Sequence, residues 1–128
     1  MPNTLIATRS GWITDPEALI HAVQSALQEA LKIPEWDRTL RLVEHPASHF
    51  AVPPGRGEKF TLIEVTMFSG RSIGAKRALY QALVRNLAGL DVPPLDVKIT
   101  LIETPPENWG LRGGTPASEI DLGFKIDV

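Results

Sequence analysis

The stretch that decides the fold is Phe60–Phe68, FTLIEVTMF, which is the strongest strand pattern in the sequence. Leu62, Ile63 and Val65 predict a central, well-buried strand, because β-branched and large apolar side chains favour that position. Ser69-Gly70 interrupts the pattern, and apolar residues then recur at helical spacing over about 72–89. After two prolines, residues 97–103 have the pattern of another strand, so this half of the chain is predicted to be a β-α-β unit.

The first half of the chain repeats this unit. A shift of 59 positions aligns Ser10-Gly11 with Ser69-Gly70, Ile33-Pro34 with Val92-Pro93, and Asp37 with Asp96. The first half is therefore predicted to contain a strand at 4–8, a helix at about 16–32 and a strand at 39–44. Thr14 or Asp15 can cap this helix, and Pro34 ends it.

Two such units predict an α/β fold. A right-handed crossover makes the two strands of each unit parallel. Side by side, the units form a four-stranded mixed sheet with both helices on one face, in one domain (1–128) made of halves at about 2–58 and 59–128. A last short strand is expected at 123–128. The other face of the sheet keeps apolar residues, which predicts a closed symmetric oligomer.

Composition excludes several classes of function. The chain has 128 residues, a net charge of −2 and no cysteine. The charge gives no electrostatic case for binding nucleic acid or an anionic membrane, and the missing cysteine excludes disulfides and a cysteine nucleophile. No apolar run approaches the ~20 residues of a membrane span, and no signal peptide opens the chain. We therefore expect a cytoplasmic protein with no nucleic-acid or membrane partner.

Pro2 directly follows the initiator Met1, and a proline in this position usually leads to removal of the methionine. The mature chain would then begin with a secondary amine. An α-amino group titrates near about 7.7–8.0, and an apolar pocket would lower its pKa further. Such an amine can act as a general base at neutral pH. The alternative is that Pro2 is merely a strand-edge residue without an amide to donate.

Three sequence features resemble the tautomerase superfamily. They are Pro2 after Met1, the turn Gly70-Arg71-Ser72 followed by Lys76, and the glycine-rich segment Trp109–Gly114 with Ala117-Ser118 beyond it. The second and third resemble a turn and an aromatic-glycine hairpin of 4-oxalocrotonate tautomerase, whose subunit is a single β-α-β unit. This chain resembles the fused, double-length members, such as malonate semialdehyde decarboxylase, and Pro34–Arg38 matches a Pro-x-x-Asp-Arg motif of that enzyme.

The resemblance implies roles for individual residues. Pro2 would be the catalytic amine, Arg71 would bind a substrate carboxylate, and Asp37 would orient or activate water. Trp109 would pack against the substrate. The family's second substrate-binding arginine is missing from its usual position, and the candidates to replace it are Arg38, Arg41, Lys98 and Arg112. The resemblance also implies a homotrimer and a reaction that needs no cofactor or metal.

The chain departs from the family pattern at two positions. Ser69 stands where the decarboxylase has a further arginine, and Trp12 occupies the first-half position that corresponds to Arg71. Only one of the two duplicated sites therefore keeps the family arginine. These departures favour simple tautomerisation over decarboxylation or dehalogenation.

Three functions remain open from the sequence. The first is a cofactor-independent tautomerase (keto–enol isomerase) acting on a small 2-oxo or enol carboxylic acid. The second is a hydratase, decarboxylase or dehalogenase of a 3-oxo or unsaturated acid, which needs a protonated Pro2 and Asp37 acting on water. The third is a small-acid binding or assembly module without chemistry, in which Asp37 only forms a turn, Trp109 fills an interface and Arg112 is a solvated loop residue.

Overall fold

The structure is a computed structural model, and it describes residues 2–124. Its main elements are β1 (Asn3–Arg9), α1 (Pro16–Leu31), β2 (Thr39–His45), β3 (Thr61–Phe68), α2 (Ile73–Ala88) and β4 (Val97–Thr104), followed by a hairpin of β5 (Gly110–Leu111) and β6 (Thr115–Pro116). The predicted β-α-β repeat is confirmed, with element ends within one residue of the prediction. The strand predicted at 123–128 begins on Gly123 and Phe124, which form a bend, and its remainder lies outside the described residues.

The four long strands form one mixed sheet in the order β2-β1-β3-β4. β1 is parallel to β2, and β3 is parallel to β4, as right-handed crossovers require. The two halves meet where β1 pairs antiparallel with β3. Asn3 faces Thr39 on one side and Thr66 on the other, so one end of the sheet holds the starts of β1 and β2 and the ends of β3 and β4. We call this the proline end.

Each helix begins with a side-chain cap after an equivalent glycine turn. The Asp15 carboxylate accepts a hydrogen bond from the Ala18 N–H at 3.1 Å, and the Ser72 hydroxyl accepts one from the Ala75 N–H at 3.0 Å. Gly11 and Gly70, one repeat apart, have φ angles of 109° and 123°. Glycine adopts such angles without steric cost, so both strand-to-helix turns depend on it.

The core lies between the sheet and the two helices. Both helices contribute to a single cluster of buried apolar side chains, and the strands contribute their helix-facing residues Ile6, Ile63, Val65 and Met67. Leu40 and Leu42 of β2 pack against the same cluster, whereas Arg41 between them is exposed. The prediction that both helices cover one face of the sheet is therefore confirmed.

The other face of the sheet is uncovered in the protomer. Its partly exposed apolar residues include Leu5, Val43 and Leu62, and Ile102 is 42% exposed. A cavity of about 310 Å³ lies on this face beside the proline end and is lined by Asn3, Leu5, Thr39, Arg41, Glu64 and Thr66, with Thr4. Among residues 2–124, no helix combines the length and the hydropathy needed to cross a bilayer.

Candidate active site

The sheet register brings the predicted site residues to the proline end. Pro2 precedes Asn3, and Asp37 lies two residues before Thr39, which is the β2 neighbour of Asn3. Arg71 follows the end of β3, whose Thr66 is the other neighbour of Asn3. Pro2, Asp37 and Arg71 are all buried. Three residues from separate parts of the chain thus lie at one end because β1 runs parallel to β2 and antiparallel to β3.

Arg71 is a buried cation at the proline end. It is only 6% exposed, and its Nη2 donates a long hydrogen bond of 3.5 Å to the carbonyl oxygen of Leu31 at the end of α1. Its Nε and Nη1 have no hydrogen-bond partner among the described residues. Burial lowers the pKa of Arg71 from its ordinary value, although the nearby carboxylates of Asp37 and Glu103 oppose that change. A buried cation with unused donors is suited to binding an anion, such as a carboxylate.

Asp37 is buried at the turn between α1 and β2, with 3% of its surface exposed. The turn is held by two backbone hydrogen bonds, from the Asp37 N–H to Pro34 at 3.1 Å and from the Arg38 N–H to Trp36 at 3.0 Å. Burial raises the pKa of Asp37 above its ordinary value, and the positive charge of Arg71 limits the increase. The charge of each of these two side chains therefore affects the pKa of the other.

Trp109 lies at the same end, beyond β4. Its ring is 9% exposed and meets the Phe68 ring edge to face, with centroids 5.0 Å apart. Its Nε1 donates a hydrogen bond to the Thr104 hydroxyl at 2.5 Å. Together with Ala117, these rings form a second apolar cluster that closes the ends of β3 and β4. These contacts hold the Trp109 ring in place on one side of the proline end.

Glu103 is a charged residue at this end whose role the sequence did not reveal. Its carboxylate accepts a hydrogen bond from the Lys76 ammonium at 2.5 Å, and both side chains are partly buried. Its charge also raises the pKa of Arg71. Lys76 belongs to the motif that follows Arg71, but no sequence pattern pairs it with Glu103, because the contact joins a helix to a strand 27 residues away.

The four candidates for the second basic group lie in different places. Arg41 is exposed on β2 and lines the cavity beside the proline end. Arg38 is exposed and lines a groove between α1 and β2. Arg112 is exposed at the turn of the β5–β6 hairpin, with a φ of 47°. Lys98 pairs with Leu62 near the start of β4, five residues along β3 from the level of Pro2. At 3.3–3.4 Å per residue this is about 17 Å, so one protomer does not bring Lys98 to the proline end.

The opposite end of the sheet holds the equivalent residues of the repeat. Trp12, in the position of Arg71, donates a hydrogen bond from Nε1 to the Thr8 hydroxyl at 3.1 Å. The Lys59 ammonium lies 5.8 Å from the centroid of the Trp12 ring. Asp96, in the position of Asp37, accepts hydrogen bonds from the Gly57 N–H at 3.2 and 3.3 Å. Trp12 and Asp96 therefore both have partners within the protein.

Within residues 2–124, no three histidine, aspartate or glutamate side chains are grouped closely enough to hold a metal ion.

Comparison with known proteins identifies the family of the chain. A family model described as a tautomerase enzyme matches residues 37–112, which is more than half of the chain. The chain belongs to the tautomerase family. The matched segment contains Asp37, Arg71 and Trp109.

Solved structures share the tautomerase fold over almost the whole chain. The malonate semialdehyde decarboxylase FG41, inhibited by 3-bromopropiolate, is 30% identical with a TM-score of 0.80, and the match covers 89% of this chain and 92% of that one. A fused 4-OT, solved as a symmetric trimer, is 25% identical with a TM-score of 0.80 and coverages of 90% and 95%. A member of the cis-3-chloroacrylic acid dehalogenase family, at 21% identity and a TM-score of 0.76, shares the fold over 90% and 82%.

Proposed function

We propose that this tautomerase transfers a proton between carbon and oxygen of a small 2-oxo or enol carboxylic acid, with Pro2 as the general acid and base. The observation that carries the proposal is the buried Arg71 guanidinium, whose Nε and Nη1 have no hydrogen-bond partner among the described residues, at the same sheet end as Pro2. A substrate carboxylate would accept these donors and gain charge-assisted hydrogen bonds.

The reaction follows from what each residue can do. The neutral Pro2 amine removes a proton from the hydroxyl or carbon of the bound acid and returns it to the other position. Positioned proton transfer contributes about 10²–10⁴-fold to a rate. Arg71 holds the carboxylate and stabilises negative charge that develops on the neighbouring oxygen. The Trp109 ring excludes water from one side.

The proposal requires that Met1 is removed. With Met1 present, the nitrogen of Pro2 is a tertiary amide, which cannot accept a proton at neutral pH. Intact-mass spectrometry of protein from its native host tests this directly. A mass that includes Met1 would contradict the proposal and favour the third function, a small-acid binding or assembly module.

A second candidate is hydration or decarboxylation of a 3-oxo or unsaturated acid. The observation that favours it is Asp37, a buried carboxyl with a raised pKa, coupled to Arg71 and able to share a proton with water. The 30% identical relative is named a malonate semialdehyde decarboxylase. This reaction would need Pro2 to be protonated, whereas tautomerisation needs a neutral amine.

The decisive experiment compares Pro2→Ala with a variant that retains Met1. We expect the retained-Met1 protein to be inactive and Pro2→Ala to turn over phenylenolpyruvate or 2-hydroxymuconate at least about 10²-fold more slowly, with the fold intact by circular dichroism. Unchanged turnover in either variant would reject the role of Pro2. NMR titration of the Pro2 nitrogen then separates the two reactions, since an amine pKa well above neutrality favours hydration or decarboxylation.

Self-association is part of the same proposal. The uncovered sheet face exposes apolar residues that a monomer would leave in water. Fused 4-OT proteins of the same fold were solved as trimers. A homotrimer that packs these faces together would bury them, and light scattering coupled to gel filtration would measure its mass.

A further inference from the structure

Glu103 is a carboxylate close enough to Arg71 for its charge to act on the guanidinium. Side chains alternate along a strand, so Glu103 shares the helix-facing side of β4 with Leu101, which packs against the core. The turn that carries Arg71 is bonded to the next residue of β4, because the Ser69 N–H donates to the Thr104 carbonyl oxygen at 3.0 Å. Glu103 and Arg71 therefore lie around one turn at the proline end.

The carboxylate of Glu103 nevertheless leaves the guanidinium unpaired. Buried charges are usually paired with an opposite charge, but Nε and Nη1 of Arg71 have no hydrogen-bond partner among the described residues. Glu103 instead accepts a hydrogen bond from the Lys76 ammonium at 2.5 Å. The backbone N–H of Lys76 is bonded to the Ser72 carbonyl oxygen at 3.1 Å, directly after Arg71. Lys76 thus reaches Glu103 from the helix that begins at the Arg71 turn.

The other half of the repeat has the carboxylate without the lysine. Glu44 stands one repeat before Glu103, and its exposed side chain forms no ion pair within residues 2–124. Each long helix has 16 residues, and the fourth is Lys76 in α2 but the buried Leu19 in α1. Of the two equivalent carboxylates, the one with a lysine partner is therefore the one that shares a sheet end with Arg71.

We propose that Lys76 is a positioning residue that holds Glu103 away from Arg71, so that the guanidinium stays open to the substrate carboxylate. Without the ammonium, Glu103 would compete with the substrate for the same buried donors. The inference rests on the proposed function for the role of Arg71. The alternative is that the ion pair of Lys76 with Glu103 only braces α2 against β4.

The test is calorimetry of the full-length protein with 3-phenylpropionate, a saturated acid that cannot tautomerise. We expect Lys76→Met to bind this acid about threefold to tenfold more weakly than the wild-type protein, the range for one competing charge-assisted hydrogen bond. The double variant Lys76→Met/Glu103→Gln has lost the competing charge and should regain the wild-type affinity. Glu103→Gln alone should bind at least as tightly as the wild-type protein.

The double variant separates competition from bracing. If the ion pair only braces α2, Glu103→Gln should bind as weakly as Lys76→Met, and the double variant should be no better than either. Arg77→Met is the matched control for net charge, because it removes an exposed cation one residue further along α2. It should keep the wild-type affinity, and an equal loss in Arg77→Met would overturn the proposal by showing a general effect of charge.

Failure of the proposed function would give a different result. In that case Arg71→Met would bind 3-phenylpropionate as tightly as the wild-type protein, which would reject the roles of both Arg71 and Lys76. If Arg71→Met loses binding while Lys76→Met keeps it, only the role of Lys76 is refuted.

Discussion

Replacing Arg71 with methionine should stabilise the protein and abolish most of its activity. Arg71 is 6% exposed, and two of its three nitrogen positions donate to no described residue. A methionine follows much of the same path without polar atoms. If Arg71 is a ligand-binding group, its burial in the empty protein costs stability that the substitution recovers.

The magnitude follows from the contacts. A buried donor without a partner costs about 1–3 kcal/mol, and Arg71 has two such positions. Against this, the variant loses the long hydrogen bond to Leu31, worth about 0.5–1 kcal/mol, and the attraction to the carboxylates of Asp37 and Glu103. We expect a net gain of about 1–2 kcal/mol, or about 3–6 °C in melting temperature for a chain of this size.

Expressed as a free energy, the loss of catalytic rate in Arg71→Met should be larger than the gain in stability. Removal of a group that binds and stabilises a developing anion costs about 10²–10³-fold in rate. A carboxylate ligand at 100 times its Kd should stabilise the wild-type protein by about 2.7 kcal/mol, but should leave Arg71→Met unchanged. Thermal melts with and without 3-phenylpropionate, together with steady-state kinetics on an enol acid, measure both effects.

Arg85→Met is the matched control. Arg85 lies in α2, the helix that follows Arg71, but its side chain is 59% exposed and pairs with Glu29 at 2.7 Å. An exposed ion pair is worth about 0.2–1 kcal/mol, so this variant should change stability little and activity not at all. The reasoning would be refuted if Arg71→Met lost more than about 1 kcal/mol of stability or kept its turnover, because Arg71 would then be a structural residue.

Three further variants test other parts of the site. Burial raises the pKa of Asp37, so the folded protein holds this proton more tightly than the unfolded chain and loses stability as pH rises through the raised pKa. The gain in free energy of unfolding caused by Asp37→Asn, measured by urea unfolding, should therefore be larger at pH 7 than at pH 3.5. An equal gain at both pH values would contradict a raised pKa of Asp37. Asp96→Asn weakens the hydrogen bonds from Gly57 and should lose about 1–2 kcal/mol at pH 7 with kcat unchanged, so equal effects of the two substitutions on kcat would show that the ends are not distinct. Trp109→Phe keeps an aromatic ring but loses the hydrogen bond to Thr104, which should cost about 1 kcal/mol in chemical denaturation, and a null result would mean that the bond contributes nothing.

The fold could be predicted closely because the signals are local and occur twice. Gly11 and Gly70 mark the same turn, and each is followed by a helix with an apolar stripe and a proline stop. The parallel pairing within each half then follows from crossover handedness. The strand expected at 123–128 had no second copy to support it, and the part of it that the structure describes is a bend.

The site could be predicted only in part. The family resemblance named Pro2, Asp37 and Arg71, and the pairing of β1 with β2 and β3 brings them to one end of the sheet. Strand pairing also determines the position of Lys98, the repeat equivalent of Thr39. Lys98 lies near the start of β4, and therefore at the end of the sheet opposite Pro2. The contacts of Glu103 with Lys76, and the unused donors of Arg71, depend on side-chain packing between elements, which no sequence spacing encodes.

The two ends of the sheet hold equivalent positions of the repeat but differ in how their polar groups are satisfied. At the opposite end, Trp12 stands in the position of Arg71 and donates to Thr8, and Asp96 is bonded to Gly57. That end needs no ligand to complete its hydrogen bonds. At the proline end, Arg71 keeps a buried charge with unused donors, which a protein selected for stability alone would replace. Arg71 has buried donors without a described partner at one end, whereas Trp12 and Asp96 have partners at the other. This difference is the strongest physical reason to propose that the chemistry takes place beside Pro2.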